Sequence, residues 1–304
     1  MSVVVVTGCS SGIGFESALA FARRGDRVHA CVRDKNKTRL LQEIASSEDL
    51  DVQIDVLDVT QPQVFFSFVE SVVERSETID VLVNNAGILH PGAWEDLSET
   101  QIRAVMETNF FGPMLLTRAV LPVMRERSSG CIIMISSLSG IAGLAGDVAY
   151  SASKFALEGA TEALRHEVDR WGIRVALVQG GQYATQLFKG ADDSVGSDAQ
   201  PLPAGYPEDS VYRDLVECKV RQGLDSLADA HPPGLIAELL LNIAESDGST
   251  LRWPADDLAR HVLDTLHGGS DADRDAFLRM AGGSEWWSAG LAPPDSQTPP
   301  DPQR

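Results

Sequence analysis

The chain has 304 residues, 43% hydrophobic and 23% charged, the balance of a soluble globular protein able to bury a sizeable core. Twenty-five basic residues against forty-four acidic ones give a net charge of −19, which argues against nucleic acid or an anionic membrane surface as a partner. No apolar run nears the ~20 residues that cross a bilayer, and the start lacks the pattern of a secretory signal. Cys9, Cys31, Cys131 and Cys218 lie far apart without metal or redox spacing, so a reducing, cytoplasmic setting is expected.

Short β-branched runs alternate with helical patterns along the chain. The first strand, 3–6, leads into Thr7-Gly8-Cys9-Ser10-Ser11-Gly12-Ile13-Gly14 and a helical stretch over 12–24. Glycines permit a tight strand-to-helix turn and close approach of a pyrophosphate, whose charge suits the free N–H groups and dipole at a helix start. Gly8, Ser10, Ser11, Gly12, Ile13 and Gly14 are therefore candidate cofactor-binding residues. A second strand, 27–32, ends at Val32-Arg33, and a helical pattern follows over 36–46. The third strand, 52–55, is followed by Asp58 and a helix over 61–76; the fourth, 81–83, runs into Asn84-Asn85-Ala86-Gly87.

The long helical pattern 98–127 contains Asn109 and, four residues later, Pro113. Proline has no N–H to return to the carbonyl of residue i−4, so the Asn109 carbonyl is freed and a kink is expected there. The fifth strand, 131–136, ends at Ser137. Thirteen residues on, Tyr150-Ser151-Ala152-Ser153-Lys154 begins the helical stretch 149–170. A phenol and an ammonium four residues apart share a helix face, and a hydroxyl at the strand end can reach the phenol. Such a cluster suits moving a proton on or off an alcohol oxygen. An unperturbed tyrosine, at a pKa of about 10, must come down by about three units to work near neutrality, or roughly 4 kcal/mol; a cation at about 4 Å supplies that much at an effective dielectric of about 20. Lys154 is the expected source of most of that shift.

A sixth strand, 173–178, completes a βα alternation that predicts an α/β fold with a doubly wound parallel sheet, a Rossmann fold. After it the pattern loosens over 188–233, with one helical piece near 207–222; this reads as a substrate lid inserted in a single domain spanning 1–290. A last short strand is expected at 250–253, and 291–304 reads as a disordered tail. His90, just after the NNAG, reads as a surface-loop histidine, with the mouth of a site as the alternative; the Trp286-Trp287 pair reads as simple packing, a cap on a cleft or a contact with a neighbouring subunit; and no histidine has ligand spacing, so no metal is expected.

Taken in order, TGCSSGIG from Thr7, the NNAG from Asn84, Asn109, Ser137 and the YxxxK of Tyr150 and Lys154 resemble the classical short-chain dehydrogenase/reductase family over residues 3 to about 185. The Val32-Arg33-Asp34 strand end, SKFALEG at 153–159 and LRW at 251–253 are similar to its 17β-hydroxysteroid and retinol dehydrogenase branch. The resemblance implies Tyr150 as general acid/base, Ser137 polarising the substrate oxygen, Lys154 also holding the cofactor ribose, and Asn109 extending a proton path. It places Gly8, Gly12 and Gly14 around the pyrophosphate, Asp58 near the adenine, Asn85 and Gly87 along the adenosine side, and Thr185 at the nicotinamide.

Val32 stands where an NAD-selecting acid would be, and the planar fork of Arg33 suits a 2′-phosphate; NADP(H) is expected, with NAD(H) as the alternative. The expected substrate is a small-molecule secondary alcohol or ketone, apolar or aromatic: steroid-like, retinoid-like or an aryl carbonyl. Alternatives are an NAD-dependent catabolic alcohol dehydrogenase of the same fold and a catalytically silent cofactor-binding sensor. Helices 98–127 and 149–170 are those by which the family pairs subunits, implying a homodimer or homotetramer. One departure stands out: Gly180 replaces the family's proline before Thr185, which predicts a looser hinge and a less secure Thr185 contact.

Overall fold

A computed structural model of the protein describes residues 1–185, 187, 202–203, 205–268 and 270–294. Seven strands form one parallel sheet in the order β3-β2-β1-β4-β5-β6-β7. They are β1 (Val3–Thr7), β2 (Arg27–Val32), β3 (Val52–Val56), β4 (Val81–Asn84), β5 (Gly130–Ile135), β6 (Ile173–Gln179) and β7 (Arg252–Pro254). β1, β4 and β5 are buried along their whole length, which is why they read as unbroken apolar runs: a parallel strand covered on both faces has no polar side to show.

Helices α1 (Gly12–Arg23), α2 (Arg39–Ser47), α3 (Phe65–Ser76), α4 (Glu99–Met106), α5 (Gly112–Glu126) and α6 (Val148–Val168) connect the strands, with α1 and α2 on one face of the sheet and α3, α5 and α6 on the other. One core lies between the sheet and α1, with Phe21 and Leu41 fully buried; the other lies on the side of α3, α5 and α6, around Phe65, Leu116, Met124 and Leu157. The order reverses between β1 and β4, so the carboxyl ends of β1, β4 and β5 open onto the crevice where a doubly wound sheet takes its ligand.

The long pattern over 98–127 is two helices joined by a single π-helical turn, Glu107–Phe111, in which the Gly112 N–H bonds the Glu107 carbonyl. Pro113 thereby falls in the first turn of α5, where a missing N–H costs nothing. The expected break is present as one widened turn, and Asn109 sits in it, buried.

The C-terminal region holds more helix than its sequence pattern suggests. The piece expected at 207–222 is α7 (Arg213–Asp225); α8 (Gly234–Glu245), α9 (Asp257–Gly268), α10 (Asp271–Ala281) and α11 (Glu285–Ser288) follow. α8 is apolar enough to bury Ile236, Leu240 and Ile243 against α1 in the first core. Of the expected lid, 188–201 and 204 lie outside the described residues, as do 295–304 of the expected tail. No helix among the described residues is long and apolar enough to cross a membrane.

Candidate active site

The glycine turn after β1 is bound to the loop after β4. Thr7 Oγ1 accepts the N–H groups of Asn85 and Ala86 at 2.9 and 3.0 Å, and Asn85 Nδ2 donates to the Thr7 carbonyl at 2.7 Å. Gly8 (φ +75°) and Gly12 (φ +59°) adopt left-handed backbone. A Cβ on Gly14 would lie 2.4 Å from the Gly8 carbonyl oxygen and 2.5 Å from Asn85 Nδ2. Ser10 and Ser11 are exposed at the start of α1, and the Ser11 side chain makes no cap hydrogen bond, so the orphan N–H groups of the helix end face the crevice. This shape fits a dinucleotide pyrophosphate: backbone donors stand in a cradle that any side chain would fill.

Arg33 projects exposed from the end of β2 with no ion pair or hydrogen bond among the described residues, while Val32 is buried beside it. Asp58 Oδ1 accepts the N–H and hydroxyl of Thr60 at 2.9 and 2.8 Å, holding its own turn after β3. Gly87 adjoins Asn109: a Cβ there would stand 3.5 Å from Asn109 Oδ1, an ordinary contact.

Asn109 ties three elements together through its side chain. Its Oδ1 accepts the Ile88 N–H at 2.9 Å, and its Nδ2 donates to the Ile88 carbonyl at 2.9 Å and to Ser153 Oγ at 3.1 Å. Ser153 in turn donates to the Tyr150 carbonyl at 2.7 Å. The sequence points to the backbone of Asn109 and not to Ser153; the structure adds the side-chain bridge from the β4 loop to the helix of the tyrosine. The signal was the small polar residue inside YSASK, one turn before which the phenol must be fixed.

Ser137 leaves β5 in extended conformation, its Oγ accepting the Ser139 N–H at 3.1 Å. Tyr150 and Lys154 are both buried on α6, and Tyr150 hydrogen-bonds Ser137. Burial pushes the phenol up to about 12; the Ser137 hydrogen bond pulls it down, and the negative charge of Asp147 pushes it up. Lys154 Nζ lies 5.7 Å from the Tyr150 ring centre and donates to the Ile135 carbonyl at 2.7 Å. The ammonium is turned to the strand end and desolvation is the largest influence on the phenol, so Lys154 does not here supply most of the expected lowering; the share expected from an oxidised nicotinamide is a separate contribution. Burial also lowers Lys154 to about 8, with Glu158 one turn on opposing that fall. Glu158 is itself buried, held by Gln179 Nε2 at 2.9 Å and Arg252 Nε at 3.1 Å.

The hinge expected to be loose is clasped. Tyr183 is buried, its hydroxyl donating to the Ala255 carbonyl at 3.1 Å and its ring lying 3.0 Å from where a Cβ of Gly180 would be. The Gly181 N–H donates to Asp256 Oδ2 at 2.9 Å, and the Gln182 and Ala184 backbones bond His231 on both sides. An aromatic side chain takes the room that proline would have used. Thr185 rests against Gly12, its Cγ2 3.2 Å from that residue's ideal Cβ position, so it adjoins the glycine turn. His90 is half-buried after β4, its pKa lowered by burial. The Trp287 ring lies 6.2 Å from the Tyr212 ring at the start of α7 and 5.6 Å from that of Trp286, so the tryptophan pair packs on its own chain.

The short chain dehydrogenase family profile matches residues 2–195, carrying the glycine turn, Asn109, Ser137, Tyr150 and Lys154. The chain belongs to this family. Human retinol dehydrogenase 8 is 36% identical over 255 residues, 82% of this chain and 79% of that one, in keeping with the branch suggested by the strand end and the SKFALEG segment. A short-chain dehydrogenase from Streptomyces avermitilis superposes with a TM-score of 0.74 at 31% identity, covering 95% of this chain and 98% of its own. An actinorhodin polyketide ketoreductase solved with NADPH superposes at 0.71 with 29% identity, covering 83% and 95%. This short-chain dehydrogenase is an oxidoreductase that acts on CH–OH groups with a nicotinamide cofactor.

Proposed function

We propose that the protein interconverts an apolar or aromatic secondary alcohol and its ketone, using NADP(H). The observation that carries the chemistry is the convergence of Ser137, Tyr150, Lys154 and Asn109 at the carboxyl ends of β5 and β4. Gly8, Ser10, Ser11, Gly12, Ile13 and Gly14 would hold the pyrophosphate, Lys154 the ribose, Asp58, Asn85 and Gly87 the adenosine side, and Thr185 the nicotinamide. The nicotinamide supplies a hydride acceptor or donor for the carbinol carbon, and positive charge when oxidised.

The chain's own residues handle the proton. Ser137 donates to the substrate oxygen and fixes it beside the phenol. Tyr150 gives its proton to that oxygen during reduction and takes it back during oxidation. Because burial holds the phenol high, it is well protonated at neutral pH and suited to reduction; oxidation needs added positive charge nearby. Asn109 and Ser153 hold the first turn of α6 so that the phenol keeps its place.

Arg33 supports NADP(H): exposed, unpaired and beside a buried valine where an acid would select NAD. The ketoreductase solved with NADPH and the retinol dehydrogenase relative support the cofactor and an apolar substrate respectively. The exposed Phe111, Val148 and Phe155 on the α5 and α6 side support subunit pairing there. The test follows NADPH and NADH absorbance separately with aryl ketones, steroids and retinoid aldehydes. Turnover should be faster with NADPH, and Arg33→Ala should cost about 10- to 100-fold in kcat/KM for NADPH while sparing NADH. Equal use of both cofactors by the unaltered protein would overturn the assignment.

A further inference from the structure

Helix α7 forms a wall beside the start of the acid/base tyrosine's helix and is joined to it through the Lys219–Asp147 ion pair. Asp147 immediately precedes α6, and its carbonyl accepts the Ser151 N–H at 2.8 Å, closing the turn that contains Tyr150. Its carboxylate is buried; Oδ2 stands 3.3 Å from Lys219 Nζ of α7, and Oδ1 has no hydrogen-bond partner among the described residues. A buried carboxylate depends on its one cation, since desolvation makes an unpaired charge costly.

The surroundings are shaped for this pair. Gly146 is left-handed (φ +81°), and a Cβ there would lie 3.3 Å from Lys219 Cγ, so the lysine stem crosses the chain where a side chain would obstruct it. The Gly146 carbonyl accepts the Gly92 N–H at 2.8 Å, fixing the loop from the opposite side. α7 is anchored independently of Lys219: Val216 and Val220 are buried with Ala93, Ser210 Oγ donates to Asp96 Oδ2 at 2.6 Å, and Tyr206 also bonds Asp96. The wall therefore stays put if the lysine is changed, and Lys219 has no evident packing duty that its charge does not share.

We propose that Lys219 is a positioning residue for the reaction: by pairing Asp147 it holds the first turn of α6 against the wall and offsets a negative charge three residues from the phenol. The inference rests on Tyr150 being the acid/base. The charged and titratable groups that bear on this carboxylate are Lys219 from α7 and Tyr150 from α6, while Arg274 of α10 donates to the Ile141 carbonyl. Without Lys219 the full charge of Asp147 disfavours the phenolate, so the phenol must be titrated at higher pH before it can act as a base.

The test is kcat/KM against pH for oxidation of the best alcohol with NADP⁺. Lys219→Met should move the acid limb up by roughly half a pH unit or more, a single-charge effect at this range. Lys219→Arg should restore the profile. Asp147→Asn, nearly the same shape, should move the limb down, and the double variant should return close to the unaltered protein. An equal loss at every pH, or an unmoved limb in Lys219→Met and Asp147→Asn, overturns the proposal. Tyr150→Phe run alongside separates the two readings: if it retains turnover, the assignment of Tyr150 fails and takes this inference with it, whereas a dead Tyr150→Phe with unmoved limbs defeats Lys219 alone.

Discussion

The two sides of the crevice meet at Asn109 and Ser137, yet different kinds of atom hold them. On the β1–β4 side the shape is set chiefly by backbone, through left-handed glycines and orphan N–H groups, with the neighbouring Thr7 and Asn85 side chains each bonding the other's main chain. On the β6–β7 side it is set by side chains from distant parts of the sequence, with Tyr183 reaching Ala255, Arg252 reaching Glu158 and Lys219 reaching Asp147. A cofactor common to a whole family can be bound by backbone, whereas a mouth that must suit one substrate class is built from replaceable side chains.

The sharpest way to break this contrast lies where the sides join. Tyr150→Phe should reduce turnover by roughly 10³-fold while leaving NADPH binding, measured by fluorescence titration, nearly unchanged. Loss of binding together with turnover would mean that the phenol builds the cradle as well as the chemistry. Next comes Gly14→Ala. Within a helix this change ordinarily gains about 0.5–1 kcal/mol. Here the new methyl would meet the Gly8 carbonyl at 2.4 Å, a backbone atom that cannot swing aside, and overpacking costs about 1–3 kcal/mol. The steric cost wins, so the variant should melt lower and bind NADPH at least about tenfold more weakly; a higher melting temperature with intact binding would show that the glycine turn is not tightly packed.

Asn109→Ala removes three hydrogen bonds, at about 1 kcal/mol each, from groups that become partly unsatisfied. A loss of about 2–3 kcal/mol in urea unfolding is expected, with kcat falling about 10-fold or more as the first turn of α6 loosens. If kcat held in the alanine variant, the residue would be acting through its backbone alone, which alanine keeps.

The same contrast explains what could be read without coordinates. Strands 3–6, 81–83 and 131–136 were legible because buried parallel strands are unbroken apolar runs, and the glycine turn because φ and close approach restrict those positions to one residue type. Tyr150, Ser137 and Asn109 were legible from spacing. Three things were not. Helix α8 has so little polar residue that its pattern lacks a contrasting face. The phenol's rise depends on burial and on where the Lys154 ammonium points, neither of which has a period in sequence. The partners of Asp147 and Tyr183 lie 72 residues off in each case, at Lys219 and Ala255, and no local rule links them.

The smallest effect concerns the hinge, and its sign is the informative part. Restoring the family's residue with Gly180→Pro should stabilise by about 0.4–1 kcal/mol if the backbone accepts it, because proline restricts the unfolded chain. The ring atoms of Tyr183 lie 3.0 and 3.3 Å from where the Cβ would be, and Tyr183 is pinned by its bond to Ala255. Proline and the tyrosine compete for one space, so Gly180→Pro alone should lower the melting temperature by a few degrees. Combined with Tyr183→Val, the same proline should be neutral or stabilising relative to Tyr183→Val itself. That reversal would establish that the tyrosine clasp has replaced the proline as the fixture below Thr185; a stabilising proline in both backgrounds would return the hinge to the looser state that its glycine suggests.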